Sequence, residues 1–428
     1  MPDDRQTRSG CGRILLIFFG IVFFAVMGVL IWLVYTSRSL EEEIRAKGEP
    51  TTLAELNTWY TQVPEEENAA LVVLKAAGEI EKPPSDVSLP QLMERSYLEG
   101  QVAWDGNGET LPADTMSAIA AYLAANRECL ASIAGIDSLN NSRYPIDTRM
   151  VLGGPLSHLD QIRGAARLLV LDATYKAETS DAVGAGVTLE RAFRLSETLR
   201  NEPFLISQLV RVACHTLACG GVEHVLNRVA LPDEQLARLQ SLIRAADDPD
   251  TLYRAFVGER CLSMDPSSPI RRTPIISQFL ATPTAQVVTE VIAAGRLSGA
   301  KRRDEFARIQ QAVDGSFNPY AGVLVPAFGR THETHDRDLA TLRVAATVIA
   351  IERYRIAENK IPDSLSALAP RYLDAVPIDP FDEQPLRFLQ GDSGYLVYSI
   401  GPNLRDDQGA EPDKDARITG DIVIKVTR

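Results

Sequence analysis

Two short clusters of histidine and cysteine are the parts of this chain whose side chains could bind a metal ion or act as nucleophiles. The first is His332-Glu333-Thr334-His335-Asp336, in which the two histidines are three residues apart. A zinc peptidase uses H-E-x-x-H, whose histidines are four apart so that both imidazoles face one ion. A metal-dependent hydrolase using His332 and His335 is therefore kept as the alternative. The favoured interpretation is a polar segment at the start of a long helix, where acidic residues suit the helix dipole.

The second cluster consists of Cys214, His215, Cys219 and His224. On one helix His215 and Cys219 share a face, whereas the other two point elsewhere, and zinc needs four converging ligands. Packing of cysteines in a core is the favoured interpretation. The chain also lacks a phosphate-binding loop, a dinucleotide-binding fingerprint and a G-x-S-x-G elbow. With no catalytic constellation evident, a role without catalysis is favoured.

Length, charge and cysteine content limit what the chain is. A chain of 428 residues is expected to form two or three domains. Its net charge of -13 repels phosphate backbones, which disfavours nucleic acid as a partner. The five cysteines form no C-x-x-C pair. Buried free thiols are favoured over disulfides, although one or two disulfides stay open.

An uncharged apolar run covers residues 14–35. As a helix, its 22 residues span about 33 Å, enough to cross a bilayer. The charges around it are Arg5, Arg8 and Arg13 before the run, and Arg38, Glu41, Glu42 and Glu43 after it. The positive-inside rule then predicts a cytoplasmic tail (1–13), a transmembrane helix (14–35) in contact with lipid, and an extracytoplasmic remainder. A cleaved signal peptide is disfavoured, because its apolar stretch would be shorter than this run. A buried core helix is also disfavoured, because it would carry a polar stripe, which this run lacks.

The exported part reads as a series of helices. They are predicted at 39–60, 64–80, 114–135, 158–178, 182–200, 203–228, 233–246, 250–262, 283–313 and 320–329. Segments 81–115 and 139–156 read as loops, the second punctuated by Gly153-Gly154-Pro155. The short breaks between 158 and 246 predict antiparallel helical hairpins. Ala173, Ala185 and Ala192 have the small-residue spacing of one tetratricopeptide repeat (TPR), which predicts TPR-like packing.

The last ninety residues combine one helix with short strands. The helix is predicted at 333–358, and its middle, 344–351, is apolar on nearly all sides, which indicates burial from more than one direction. A short helical turn is expected at 363–369. Strands are predicted at 385–390, 395–400 and 422–426, with a hairpin turn in QGDSG between the first two.

This C-terminal region resembles the major pseudopilin of type II secretion systems. The matching elements, in the family's order, are Ile361-Pro362, Asp379-Pro380-Phe381, Gln384-Pro385 and Tyr398-Ser399-Ile400-Gly401. The resemblance implies a small α+β module at 333–428 with a short antiparallel sheet, following an exported helical domain at 39–332. Unlike a pilin, the apolar run at 14–35 contains no glutamate and lies far from the module. It is therefore expected to be a permanent tether.

In pseudopilins the loop after Y-S-x-G holds calcium, so the resemblance makes calcium the candidate cofactor of this chain, and no other cofactor is expected. The residues implied as metal ligands are Asn403, Asp406, Asp407 and Asp421, with Asp413 and Asp415 nearby in the sequence. Calcium prefers hard oxygen ligands from flexible acidic loops. An acidic, solvated loop without a metal is the alternative.

The whole layout also resembles a group of bacterial membrane proteins that share an anchor and two further motifs. The motifs here are Glu67-Asn68-Ala69-Ala70 and the run 202–211, EPFLISQLVR. This resemblance implies no particular activity. The expected fold is mainly α: a transmembrane helix, a helical-hairpin (TPR-like) exported region and a pseudopilin-like module. The expected function is that of a scaffold or interaction protein anchored in the bacterial cytoplasmic membrane. Its partners would be other envelope proteins, with a link to secretion or envelope assembly.

Overall fold

The computed structural model describes residues 6–81, 110–146, 156–265, 276–316, 318–391, 394–410 and 420–427. Most of the predicted loops 81–115 and 139–156, including Gly153-Gly154-Pro155, lies outside these residues. Within them the chain forms thirteen α-helices and one three-stranded antiparallel sheet. The prediction of a mainly helical chain with a small antiparallel sheet is confirmed.

The helices have the following bounds. They are α1 (Gln6–Ala46), α2 (Leu53–Trp59), α3 (Ala69–Gly78), α4 (Ala113–Ala125), α5 (Arg127–Ile133), α6 (Ser157–Glu178), α7 (Ala182–Glu197), α8 (Leu205–Arg228), α9 (Asp233–Ala246), α10 (Thr251–Met264), α11 (Ile276–Gly295), α12 (Gly299–Asp314) and α13 (Pro319–Glu358). A short 3-10 turn at Leu365–Leu368 lies within the helical turn predicted at 363–369.

Helices α6 to α9 form the packed centre of the molecule, where α6 contacts α7 and α8, and α7 contacts α9. The four helices predicted at 158–246 are confirmed to within three residues at each end. Asp181 explains the start of α7, because its side chain accepts the Gly184 N–H as an N-cap. Pro232 directly precedes α9, and two acidic residues occupy that helix's first turn.

Several predicted helix limits are wrong. The pattern at 39–60 is broken after Ala46, where Gly48 has φ +74 and Pro50 follows before α2. The pattern at 283–313 is two helices, α11 and α12, because Gly299 has a left-handed φ of +46. Conversely, the segments predicted at 320–329 and 333–358 are one continuous helix, α13. Gly329 does not break it, since a single glycine costs a helix only about 1 kcal/mol.

The sheet packs on the second half of α13. Its strands are β1 (Arg387–Gly391), β2 (Gly394–Ser399) and β3 (Ile422–Val426), in the order β1-β2-β3. β2 and β3 both contact α13, and the Tyr395 hydroxyl donates a hydrogen bond to Glu352 at 2.8 Å. Residues 344–351 are buried throughout, as their apolar composition predicts.

One apolar core extends from α3 to β3, so that the sheet and helices α6 to α9 share it. A second core joins α10, α11, α12 and the first half of α13. The predicted domain limit at 332/333 falls inside α13, which contributes to both cores. The division into an exported helical domain and a C-terminal module therefore stays a prediction.

Helix α1 contains the whole apolar run 14–35 and continues without interruption to Ala46. Large apolar side chains on the run are exposed, among them Phe24 at 75% and Tyr35 at 73%. Beyond the run, Leu40 and Ile44 are buried against Met264 and Ala285. Among the side chains of α1 that the structure describes, those buried against the body therefore lie beyond the apolar run.

Candidate functional site

The two sequence motifs Glu67-Asn68-Ala69-Ala70 and 202–211 meet at one segment, residues 141–144. Asn68 of the first motif caps α3 through the Ala70 N–H and also accepts the Arg143 N–H at 2.9 Å. Its amide nitrogen donates to the Arg143 carbonyl at 2.8 Å. The Ala69 N–H donates to the Asn141 carbonyl. The E-N-A-A motif thus holds this segment against the start of α3.

The second motif reaches the same segment through a buried polar cluster around Glu202. The Glu202 side chain is fully buried, and it accepts hydrogen bonds from His158 at 3.0 Å and Ser207 at 2.5 Å. The His158 ring lies 4.9 Å from the Tyr144 ring, and the Tyr144 hydroxyl is 2.7 Å from the Thr198 hydroxyl. We call these five side chains the Glu202 cluster.

Electrostatics in the Glu202 cluster favour neutral tyrosines. Burial, together with the nearby Glu202 carboxylate, holds the pKa of Tyr144 well above its usual range. The same two causes raise the pKa of Tyr60, whose hydroxyl accepts the Tyr144 N–H at 3.2 Å. Both phenols are therefore protonated at neutral pH and act as fixed hydrogen-bonding groups.

The order of groups in the cluster is not that of a nucleophilic triad. In such a triad the histidine lies between the hydroxyl and the carboxylate and removes the hydroxyl proton. Here the Glu202 carboxylate lies between His158 and Ser207, and the Ser207 side chain is fully buried. What the cluster does is fasten the corner between α7 and α8 to α6 and to residues 141–144.

A second buried network joins α7, α8 and α13 around His215. Its ring nitrogens lie 3.0 Å from Glu197 and 3.0 Å from Asp338. Burial alone would lower the pKa of His215, but Asp338 and the hydrogen bonds to both carboxylates outweigh it and raise the pKa. Arg211, which is 1% exposed, pairs with Glu197 at 2.7 Å. In this network the positive charges of Arg211 and His215 are paired with the carboxylates of Glu197 and Asp338, and these pairs hold three helices together.

The predicted metal-like histidines His332 and His335 lie in α13 and are buried. Neither ring nitrogen of His332 has a hydrogen-bond partner, and its ring packs against Phe256 and Phe306 at 4.9 and 4.8 Å. Burial lowers the pKa of both histidines, to about 4 for His335. No group of three or more His, Cys, Asp or Glu that could hold a metal ion occurs in the described ranges. The geometry therefore gives the hydrolase alternative no support.

The cysteines behave as core residues. Cys129, Cys214, Cys219 and Cys261 are each buried and unpaired in the part of the chain that the structure describes. Burial raises the pKa of Cys214 and Cys261 to about 12, which keeps these thiols protonated and unreactive. Cys261 also donates to the Pro50 carbonyl at 3.2 Å. Core packing of Cys214 and Cys219 is confirmed.

The structure brings together three of the four residues implied as calcium ligands. The Asn403 amide donates to Asp407 at 2.8 Å, and Asp421 accepts the Asp407 and Gly409 N–H groups at 3.3 and 2.6 Å. Burial, followed by the nearby Asp407 and Asp406, raises the pKa of Asp421.

Asp406 points to different partners, the Tyr398 hydroxyl at 3.1 Å and Arg387 at 3.5 Å. Calcium needs at least about six oxygens, more than the three clustered side chains provide, and both oxygens of Asp421 already accept N–H groups. Asp413 and Asp415 lie outside the described residues. A calcium site here stays a prediction.

Sequence reasoning singled out the run 202–211 without assigning roles to its residues. Four of its polar side chains turn out to be buried: Glu202, Ser207, Gln208 and Arg211. One sequence feature could have indicated this burial: charged and amide residues occur at the start of a helix whose other residues are apolar. Such groups stay buried only when they are paired.

Comparison with family models, with curated proteins and with solved structures finds no match for this chain. In the part of the chain that the structure describes, one helix, Leu205–Arg228, is found to be long and apolar enough to cross a membrane. Because 67% of its apolar window is buried inside the protein, it is a core helix of the body.

Proposed function

We propose that this chain is a membrane-anchored scaffold of the bacterial cell envelope. Residues 14–35 cross the cytoplasmic membrane, and the remainder lies outside the cytoplasm. The body is a TPR-like stack of helical hairpins, and residues 333–428 form a pseudopilin-like module that binds another envelope protein of a secretion or assembly system. Support comes from the exposed apolar side chains along α1 and from polar clusters that are buried and paired, with no catalytic order.

The observation that carries the proposal is a difference between the two edges of the sheet. Helix α8 covers the β3 edge, because Glu223 accepts the Lys425 N–H at 2.9 Å and Asn227 donates to the Lys425 carbonyl at 2.8 Å. Thr427 also donates its N–H to Asn227 at 2.7 Å. The chain thus occupies the hydrogen-bonding groups of this edge with its own side chains.

The β1 edge is different. β1 is the outer strand, and Leu389, Gln390 and Gly391 are exposed, with the Leu389 side chain at 44%. An exposed strand edge accepts an extended segment of another protein through main-chain hydrogen bonds. Phe388 packs against the core, so the Leu389 side chain lies on the opposite face of β1 and is available for specificity. The partner that fits is therefore a protein offering an extended strand.

Site-specific photocrosslinking in intact cells tests this proposal. A photoreactive amino acid at Leu389 is expected to form one discrete adduct with an envelope protein. The matched control is Val183, which is 59% exposed on the helical body at the start of α7. The adduct should be absent at Val183 and should disappear from Leu389 when Gln390→Pro removes a strand N–H.

Two results would overturn the proposal. The first is release of the chain from membranes by alkaline carbonate, which would remove the anchor. The second is equal crosslinking at Leu389 and Val183, or none at either position, in membranes where the chain is at its natural level.

A further inference from the structure

The structure fixes which end of the body lies next to the membrane, if α1 is the anchor proposed above. Leu40 and Ile44 lie about 8 and 14 Å beyond Tyr35 along the helix, at about 1.5 Å per residue. Both are buried against Ala285 of α11. The headgroup layer is several Å thick on each side of the hydrocarbon. Ala285 is therefore held just outside that layer.

The start of α13 lies at the same height. Thr284, the neighbour of Ala285, shares hydrogen bonds of 3.3 and 3.2 Å with Asn318. Asn318 is the N-cap of α13 and accepts the Ala321 N–H at 3.1 Å. The first turns of α13 are therefore next to the position where α1 leaves the bilayer.

Two uncharged stretches of the sequence meet at this place. The run 315–329 lacks any Asp, Glu, Lys or Arg, and so does the run 273–289, which contains Thr284. Charged residues make up 24% of the chain, so two such runs meeting at one place are unusual. On the first turns of α13, Val323 is 72% exposed and Tyr320 is 36% exposed. A tyrosine and an aliphatic side chain on an uncharged helical turn are what a membrane interface accommodates.

We propose that the first turns of α13, through Tyr320 and Val323, dock on the outer surface of the same bilayer that holds α1. The occupant of this surface is lipid, at the boundary between headgroups and acyl chains. The attraction comes from apolar insertion of a tyrosine and a valine, and it therefore does not require anionic lipid. This second contact fixes the orientation of the body relative to the membrane, which one helix alone would leave free to rotate.

Fluorescence quenching by spin-labelled lipid tests this inference on the full chain. Val323→Cys is made in a Cys11→Ser background, where the four buried cysteines do not react in the folded protein. An NBD label is attached, and the chain is reconstituted in phosphatidylcholine vesicles containing lipid with a nitroxide near the headgroup. The matched control is Ile356→Cys, which is 50% exposed on the same helix, about 50 Å further along.

The label at position 323 is expected to be quenched at least about twofold more than the label at 356, with blue-shifted emission. Equal quenching at both positions would overturn the inference. So would shielding of position 323 that ignores the spin-labelled lipid and increases with protein density, which would indicate contact between two copies of the chain. If carbonate extraction releases the chain, the proposed anchor fails as well. If the chain is retained while position 323 stays in water, only this inference fails.

Discussion

The Asp379 carboxylate accepts the backbone N–H of Ile400 at 2.9 Å, which ties the D-P-F turn to the Y-S-x-G loop. The same carboxylate, fully buried, also accepts the Phe381 N–H at 3.0 Å, the Ser399 hydroxyl at 2.9 Å and Arg387 at 3.2 Å. The sequence elements 379–381 and 398–401 are thus held together by one side chain. Both carboxylate oxygens of Asp379 accept hydrogen bonds in these contacts.

Replacing Asp379 by asparagine is expected to destabilise the chain. An amide puts an N–H donor where a carboxylate oxygen accepts, so two donors face each other. We expect a loss of about 2–4 kcal/mol in the free energy of unfolding. Chemical denaturation of the full chain in detergent measures it. Asp363→Asn is the control, because that side chain is 94% exposed, and it should change stability by less than about 0.5 kcal/mol.

Arg211 should be among the most sensitive charged positions of the helical body. Arg211→Ala leaves Glu197 without its nearest cation and removes a hydrogen bond to the Ala246 carbonyl at 3.1 Å. Breaking a buried ion pair in this way costs about 3–5 kcal/mol. The matched change, Arg308→Ala, removes an arginine that is 54% exposed and should cost less than about 1 kcal/mol. Equal effects on the melting temperature would contradict the role assigned to the His215 network.

His332 should make the chain sensitive to acid. Burial depresses its pKa, so the unfolded chain binds a proton below pH 6.5 that the folded chain does not. This contribution to stability is present above the unfolded pKa and is lost as pH falls towards the folded value. His332→Leu keeps the volume and removes the two unpartnered nitrogens.

Comparing unfolding at pH 7.5 and pH 5 checks this. The variant should lose less stability than the natural chain over that interval, by on the order of 1–2 kcal/mol. The alternative role for His332 makes a different prediction, namely that added zinc stabilises the natural chain and not the variant. Stabilisation by zinc together with unchanged acid sensitivity would refute the structural role.

The buried cysteines should remain thiols even in an oxidising compartment. Native chain isolated from membranes is expected to expose at most Cys11 to a maleimide, whereas denatured chain should expose all five cysteines. Mobility on gels should be the same with and without reductant. A deficit of two or four thiols after denaturation would show that disulfides form.

Much of the helical body could be predicted from sequence because local signals agree there. Asp181 marks the start of α7, Pro232 precedes α9, and the apolar spacing between them has the period of a helix. The continuity of α13 was missed, since a polar stretch around His332 suggested a new start. In the fold His332, His335 and Asp336 are buried, and the packing around them outweighs the weak local signal.

The Glu202 cluster could not be predicted, because its contacts join distant parts of the chain. His158 and Glu202 are 44 residues apart, and His215 and Asp338 are 123 apart. No local pattern specifies such pairs; only the packing of α6, α8 and α13 brings them into contact. The difference between the two edges of the sheet could not be predicted either, because it depends on a contact between Asn227 of α8 and the end of β3.

The length of α13 has a mechanical consequence. The helix contains 40 residues and is about 60 Å long, with Val323 near one end and the sheet packed near the other. If α13 moves as one body, turning it by about 5° about its middle moves each end by about 3 Å. Force applied by a partner strand at β1 would therefore be transmitted along α13 to the end beside α1. With the anchor and the β1 partner proposed above, α13 would carry load between that partner and the bilayer.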